Sequence, residues 1–143
     1  SCSLALRGLR TLDIRIDRHE KNAKEIFKYL KKKKIVQKIL FLPDTNNPNH
    51  KMWKKYFSRG NGLISFAIKR SKKIELFIDS LKLFKIGFSW GGFESLILPL
   101  NQIKPTMKRL DDHFFWFRIH IGLESHLDMI NDLENGFKNY EEK

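Results

Sequence analysis

Two short stretches carry the residue types whose spacing could do chemistry. One is Phe88-Ser89-Trp90-Gly91-Gly92-Phe93-Glu94-Ser95-Leu96-Ile97, and the other is Phe117-Arg118-Ile119-His120-Ile121-Gly122-Leu123-Glu124. Each joins a hydrophobic run to a turn of small residues, with polar groups at the junction. Paired glycines let a backbone turn sharply or approach a ligand closely. An arginine inside an apolar strand needs a partner, because its guanidinium is always charged and costly to bury alone. Its planar fork suits a carboxylate or a phosphate. Ser89, Trp90 and Arg118 therefore read as one half of a site for an amino-acid carboxylate, the other half lying outside these residues.

A different chemistry is written over the first stretch. Gly87-Phe88-Ser89-Trp90-Gly91 matches the Gly-x-Ser-x-Gly nucleophile elbow, and Asp111 and His113 follow in the hydrolase order. The elbow needs a strand entering a sharp turn and a helix leaving it. Gly92 and Pro99 bracket too short a span for that helix, and parallel βα repeats are missing. The five histidines show no metal-ligand spacing such as His-Glu-x-x-His, so no metal site is expected.

The elements that must position these residues follow from periodicity. Residues 3–33 predict one long amphipathic helix, with Leu6, Leu9, Leu12, Ile16, His19, Ala23, Ile26 and Leu30 at helical spacing and Gly8 as its weak point. His19 lies on the apolar face and reads as a satisfied core or interface histidine. Residues 35–42 predict a strand ended by the turn chemistry of 43–49. Residues 50–57 form a short piece whose Trp53, Tyr56 and Phe57 read as buried packing, and 59–62 form a flexible turn. Residues 63–69 alternate as a strand, with Ile64, Phe66 and Ile68 on one side. Ser71 caps a helix carrying Ile74, Phe77, Ile78 and Leu81. Residues 86–88 form a short strand, 91–104 mostly loop, and 107–113 an exposed polar segment. Residues 114–121 form a strong strand: Phe115, Phe117, Ile119 and Ile121 point one way, and Phe114, Trp116, Arg118 and His120 the other. Ser125, with Asp128 three residues later, caps a last helix whose buried stripe is Leu127, Ile130, Leu133 and Phe137. The order predicts an α+β fold: a two-layer domain with a mainly antiparallel sheet covered by helices on one face.

Composition bounds the function classes. At 143 residues the chain reads as a single domain, 1–143, large enough for a real core. No apolar run is long enough to span a bilayer, and the N-terminus lacks signal-peptide character, so a cytoplasmic location without a membrane partner is expected. The single cysteine, Cys2, excludes an intrachain disulfide. The net charge of +12 raises nucleic acid as a partner. The lysines are spread along the chain, however, and the run Lys31-Lys32-Lys33-Lys34 sits where cations complement a helix C-terminus. A solvated face is the preferred reading, and a stand-alone nucleic-acid-binding domain the alternative.

Ser-Trp-Gly-Gly-Phe-Glu-Ser-Leu-Ile at 89–97 and Arg-x-His-Ile-Gly-Leu-Glu at 118–124 resemble the C-terminal small domain of the Cys/Met-metabolism family of pyridoxal-phosphate enzymes, of fold type I. The resemblance extends to Arg7-Gly8-Leu9-Arg10-Thr11-Leu12, to residues 50–57 and to Gly62-Leu63-Ile64-Ser65-Phe66, and so spans nearly the whole chain. Tryptophan after the serine is similar to the bacterial cystathionine β-lyases, whereas γ-synthases and γ-lyases usually carry leucine. The resemblance implies a carbon–sulfur lyase of methionine biosynthesis, acting on L-cystathionine or a related thioether amino acid to give homocysteine, pyruvate and ammonia. It implies pyridoxal phosphate in the complete enzyme, a homo-oligomer, Arg118 on the substrate carboxylate, and Ser89 and Trp90 beside it. Phe88 replaces the tyrosine common in close relatives.

The departures matter as much. No lysine here has the family's Schiff-base context, so no catalytic residue is assigned. The phosphate-binding glycine segment and the large domain's ring contacts are also missing. The chain starts without methionine where the family's small domain begins, as an excised domain or a gene remnant would. The expectation is half a site: no cofactor binding and no lyase activity alone, with a large-domain partner completing it.

Overall fold

The computed structural model describes residues 2–70, 74–100, 111 and 113–141. In chain order the elements are α1 (Cys2–Leu9), α2 (Leu12–Lys31), β1 (Val36–Leu40), α3 (His50–Tyr56), β2 (Leu63–Lys69), α4 (Ile74–Asp79), β3 (Lys85–Ile86), β4 (Leu96–Pro99), β5 (Phe114–His120) and α5 (His126–Glu141). The five described strands form one sheet in the order β1-β2-β5-β4-β3. Pairing is antiparallel except between β3 and β4. The expected α+β architecture with a mainly antiparallel sheet is present.

One face of the sheet makes the core. Ile64, Phe66 and Ile68 of β2, Ile97 of β4, and Phe117 and Ile119 of β5 pack against Ala23, Ile26 and Leu30 of α2, Phe77 of α4, and Met129, Leu133 and Phe137 of α5. Alternation along β2 and β5 puts every second residue on this face, and helical spacing does the same for α2 and α5. Aromatic rings lock the layers: Phe77 lies 5.2 Å from both Phe117 and Phe137 between ring centroids. A buried carboxylate pins the segment after α4. Asp132 accepts the backbone N–H groups of Lys82, Leu83 and Phe84 at 2.7, 2.9 and 3.1 Å.

Several expectations change. The long first helix is two helices, broken at Arg10 and Thr11 rather than at Gly8, where Thr11 N–H returns to the Gly8 carbonyl at 3.3 Å. Leu4, Leu6 and Leu9 are exposed, so the apolar stripe of α1 stays open to solvent among the described residues. Residues 96–99, read as loop, form a fully buried strand. Its four residues are too few to show periodicity, and its outward leucines are buried too. The strand expected at 86–88 ends at Ile86. Tyr56 and Phe57 are exposed, not buried. In α5, Met129 takes the core position and Leu127 faces solvent, because the stripe starts two residues later than read. The turn at 59–62 is tied down: Arg59 pairs with Asp13 and Asp17 at 2.9 and 2.8 Å. The proposed cap Ser71, and residues 101–110 with Met107, lie outside the described residues.

Candidate functional site

The site is built on the second face of the sheet. β5 is the middle strand, so its outward residues stand at the centre of that face. The register aligns Leu40, Ser65, Arg118 and Leu98 in one row across four strands, and Leu63, His120 and Leu96 in the next. Arg118 therefore projects opposite the core, as its parity in β5 requires. It is half-buried, and among the described residues no carboxylate lies within ion-pair distance of it. Its guanidinium donates to the Phe88 carbonyl.

That bond is the first of several that fold residues 88–95 across the second face. Gly91, at φ +85°, is the only residue with positive φ among those described, and a side chain there would be strained. Its N–H lies 3.1 Å from His120 Nε2, and the Gly92 carbonyl lies 3.1 Å from the same nitrogen. Leu123 N–H donates to the Phe93 carbonyl at 2.8 Å. The Glu124 carboxylate accepts Ser95 N–H at 2.8 Å and the Ser95 hydroxyl at 2.9 Å, and the Ser95 oxygen accepts Gly122 N–H at 2.9 Å. The Arg-x-His-x-Gly-x-Glu segment is thus a row of hooks for the glycine turn.

The hooks are held in turn by α2. His19 Nδ1 lies 2.7 Å from the Ile121 carbonyl, which can only accept, so Nδ1 carries the proton. Asn22 donates to the carbonyls of Gly122 and Glu124, both at 2.9 Å. His19 is the core histidine expected, although its Nε2 is buried and has no partner among the described residues. Burial pushes the His120 imidazole below its ordinary pKa. The His19 ring, 5.0 Å away between centroids, and Arg118 push the same way, while the Gly92 carbonyl and Glu124 oppose them.

Among the described residues, two cavities flank Arg118 and His120 on this side. One, of about 270 Å³, has Arg118 and Ser65 on its wall with Leu40, Leu42, Leu63 and Trp53 around them. The other, of about 180 Å³, lies between the start of α2 and the glycine turn and is lined by Leu12, Ile16, His19, Trp90 and His120. Asn61 and Leu63 line both. Of the three residues expected to act together, Arg118 and Trp90 stand in adjacent cavities. Ser89 lies in the exposed turn between them and lines neither. Trp90 remains 62% exposed, as do its neighbours Phe88 and Phe93 at 70% and 72%.

Sequence reasoning passed over His120, Glu124, Asn22 and Trp53. The parity that sent Arg118 outward also sends His120 outward, so that signal was available. Trp53 had no such signal, since its place depends on how α3 folds back over the sheet. The hydrolase reading fails on geometry: Ser89 is followed by no helix, and Asp111 is paired with Lys38 at 2.9 Å. Among the described residues no three His, Cys, Asp or Glu side chains gather as a metal ion requires, and no helix is long and apolar enough to cross a membrane.

A family model described as Cys/Met metabolism PLP-dependent enzyme matches residues 1–138. The chain belongs to that family. Among its relatives, an L-alanine/L-glutamate racemase of Wolbachia pipientis wMel is 38% identical over 137 residues, covering 92% of this chain and 34% of that protein. The cystathionine beta-lyase of Escherichia coli strain K12 is 33% identical, covering 92% of this chain and 35% of its own. Cystathionine gamma synthase from Xanthomonas oryzae pv. oryzae, solved in complex with cystathionine, superposes with a TM-score of 0.85 at 30% identity, covering 96% of this chain and 38% of that one. The chain spans about a third of the length of the curated relatives it matches.

The family uses pyridoxal phosphate, and the residues of this face do not make a complete place for it. A Schiff base needs a lysine amine, and among the described residues the two cavities are lined by arginine, histidine, serine and asparagine with no lysine. What the face does offer is a guanidinium with no carboxylate paired to it among the described residues, set among apolar walls.

Proposed function

We propose that this chain is the substrate-carboxylate-holding small C-terminal domain, residues 1–143, of a pyridoxal-phosphate-dependent carbon–sulfur lyase of the cystathionine β-lyase kind. One observation carries the reading. Arg118 stands at the centre of the face turned away from the core, in a cavity of about 270 Å³, with no carboxylate beside it among the described residues. A half-desolvated guanidinium of this kind binds a carboxylate bidentately and fixes its orientation. Holding the α-carboxylate in place would position the α-proton for the base, which is the entropic part of catalysis. Ser89 and Trp90 sit on the turn that Arg118 and His120 tether, and they would close over the same group. The Schiff-base lysine lies outside these 143 residues, so the chain alone forms no cofactor adduct and has no lyase activity. L-cystathionine is the proposed substrate, in an oligomer with a cofactor-bearing partner domain and in the cytoplasm. The γ-synthase and γ-lyase chemistries are alternatives within the same fold.

The relative named as a racemase supports a second reading, in which the same carboxylate grip serves proton exchange on a small amino acid. The apolar walls Leu40, Leu42, Leu63 and Trp53 favour the thioether. Isothermal titration of the purified chain with L-cystathionine, L-alanine and L-glutamate tests both. L-cystathionine is expected to bind at least tenfold more tightly than L-alanine, and Arg118→Ala to abolish the binding. Equal binding by Arg118→Ala would sink the carboxylate reading, and tighter binding of alanine or glutamate would favour the racemase.

A further inference from the structure

We infer that His120 is a positioning residue whose protonation state decides whether the Gly91 peptide N–H is held, and thereby places Ser89 and Trp90 relative to Arg118. The inference deepens the carboxylate-site reading and rests on it. Its basis is one ring set between a donor and an acceptor of the turn. His120 Nε2 is 3.1 Å from the Gly92 carbonyl oxygen and 3.1 Å from Gly91 N, and Nδ1 is 3.4 Å from Gly91 N. The carbonyl can only accept, so in the neutral tautomer that satisfies both groups Nε2–H donates to Gly92 and Nδ1 accepts the Gly91 N–H. The protonated ring keeps the bond to Gly92 but has no lone pair left for Gly91. Acid therefore releases the Gly91 peptide while Gly92 stays held.

The surroundings make that choice consequential. The His120 side chain is buried and cannot swing away. It is braced by the His19 ring at 5.0 Å, and His19 is itself fixed by its bond to the Ile121 carbonyl. Gly62 leaves no slack on the other side, since a Cβ there would lie 3.1 Å from the His120 ring. Across from the ring, Gly91 and Gly92 border open space, so the turn is free to follow the hydrogen bond. Trp90 immediately precedes Gly91, lines the same cavity as His120, and is largely exposed.

The charged and titratable groups facing His120 are His19 and Arg15 from α2, Arg118 beside it on β5, and Glu124 beyond β5. Two of them, His19 and Arg118, disfavour a second positive charge, as does burial. The neutral ring is thus the resting form at neutral pH, and acid takes away its acceptor nitrogen. With the folded-state pKa below the unfolded one, the hold on Gly91 is complete above about pH 6.5 and is lost as pH falls through the folded value. A carboxylate arriving on Arg118 adds a negative charge nearby and favours the protonated ring. Ligand binding and the position of the turn are therefore coupled.

The test labels the full chain with 5-fluorotryptophan. Its three tryptophans, Trp53, Trp90 and Trp116, give three fluorine resonances, assigned by single Trp→Phe variants. The Trp90 resonance is expected to move between about pH 7 and about pH 5, while that of buried Trp116 stays. In His120→Gln the amide cannot titrate, and the Trp90 movement should vanish. His120→Ala should also weaken L-cystathionine binding at neutral pH about tenfold, the effect of one lost hydrogen bond plus a loosened turn. A Trp90 resonance indifferent to pH in the native chain, or one that titrates unchanged in His120→Gln, overturns the proposal. If the variant fails to fold, the native titration still decides. If Trp90 titrates as expected but L-cystathionine does not bind, the latch stands and the carboxylate reading falls.

Discussion

Gly122→Ala is the sharpest single test of how the turn is docked. An alanine Cβ at this position would lie 2.4 Å from the Phe93 carbonyl oxygen and 2.3 Å from a Glu124 carboxylate oxygen. No real Cβ comes so close, so both neighbours must move. Moving Phe93 breaks the bond it accepts from Leu123 N–H, worth about 1 kcal/mol. Moving Glu124 loosens its two charge-assisted bonds to Ser95, worth about 2 kcal/mol each. Against this sum of about 5 kcal/mol, alanine restricts the unfolded chain and returns about 1 kcal/mol. Partial relaxation of Phe93 and Glu94, which are exposed, returns about another 1 kcal/mol. The net expectation is a loss of about 3 kcal/mol, read as a lower urea midpoint at unchanged slope. Gly92→Ala is the internal control. A Cβ there meets nothing within 4 Å, and the change should stay within about 0.5 kcal/mol. Equal stabilities for Gly122→Ala and Gly92→Ala would show that the turn is not seated on Gly122, and the row of hooks would lose its foundation.

Two further expectations concern stability. Asp132→Asn keeps the side-chain shape but trades a charged acceptor of three backbone N–H groups for an amide with one oxygen. It should cost about 2–3 kcal/mol in chemical unfolding, and a change under about 0.5 kcal/mol would contradict the anchoring role. For acid sensitivity, the Lys33 ammonium and the Tyr29 hydroxyl hold the Glu134 carboxyl below the usual carboxylate range. A depressed folded pKa contributes stability that is present above the unfolded value and lost as pH falls through the folded one. Glu134→Gln should therefore flatten the decline in stability below about pH 5, and an unchanged acid limb would exclude the pairing as its source.

The alternation of Phe114 to Ile121, the helical spacing of Ala23, Ile26 and Leu30, and the glycine turn after Phe88 were plain in one dimension. Each depends on the period of a single element. From them the α+β class follows, and so does the outward direction of Arg118. The motifs at 89–97 and 118–124 likewise carried the family, because they are contiguous. Tertiary structure decided what contiguity cannot express. β4 is too short to announce itself and exists because β3 and β5 flank it. Trp53 reaches the Arg118 cavity only because α3 folds back over the sheet. The break at Arg10 and Thr11 depends on a local return of Thr11 to the Gly8 carbonyl, which helical spacing does not encode. Above all, the docking of the Ser89–Trp90 turn on His120, Gly122 and Glu124 joins residues about thirty positions apart. Sequence sets which groups can bond and which faces are apolar. Whether two distant groups meet within 3 Å depends on the order of strands in the sheet, and that order is settled by packing the whole core at once.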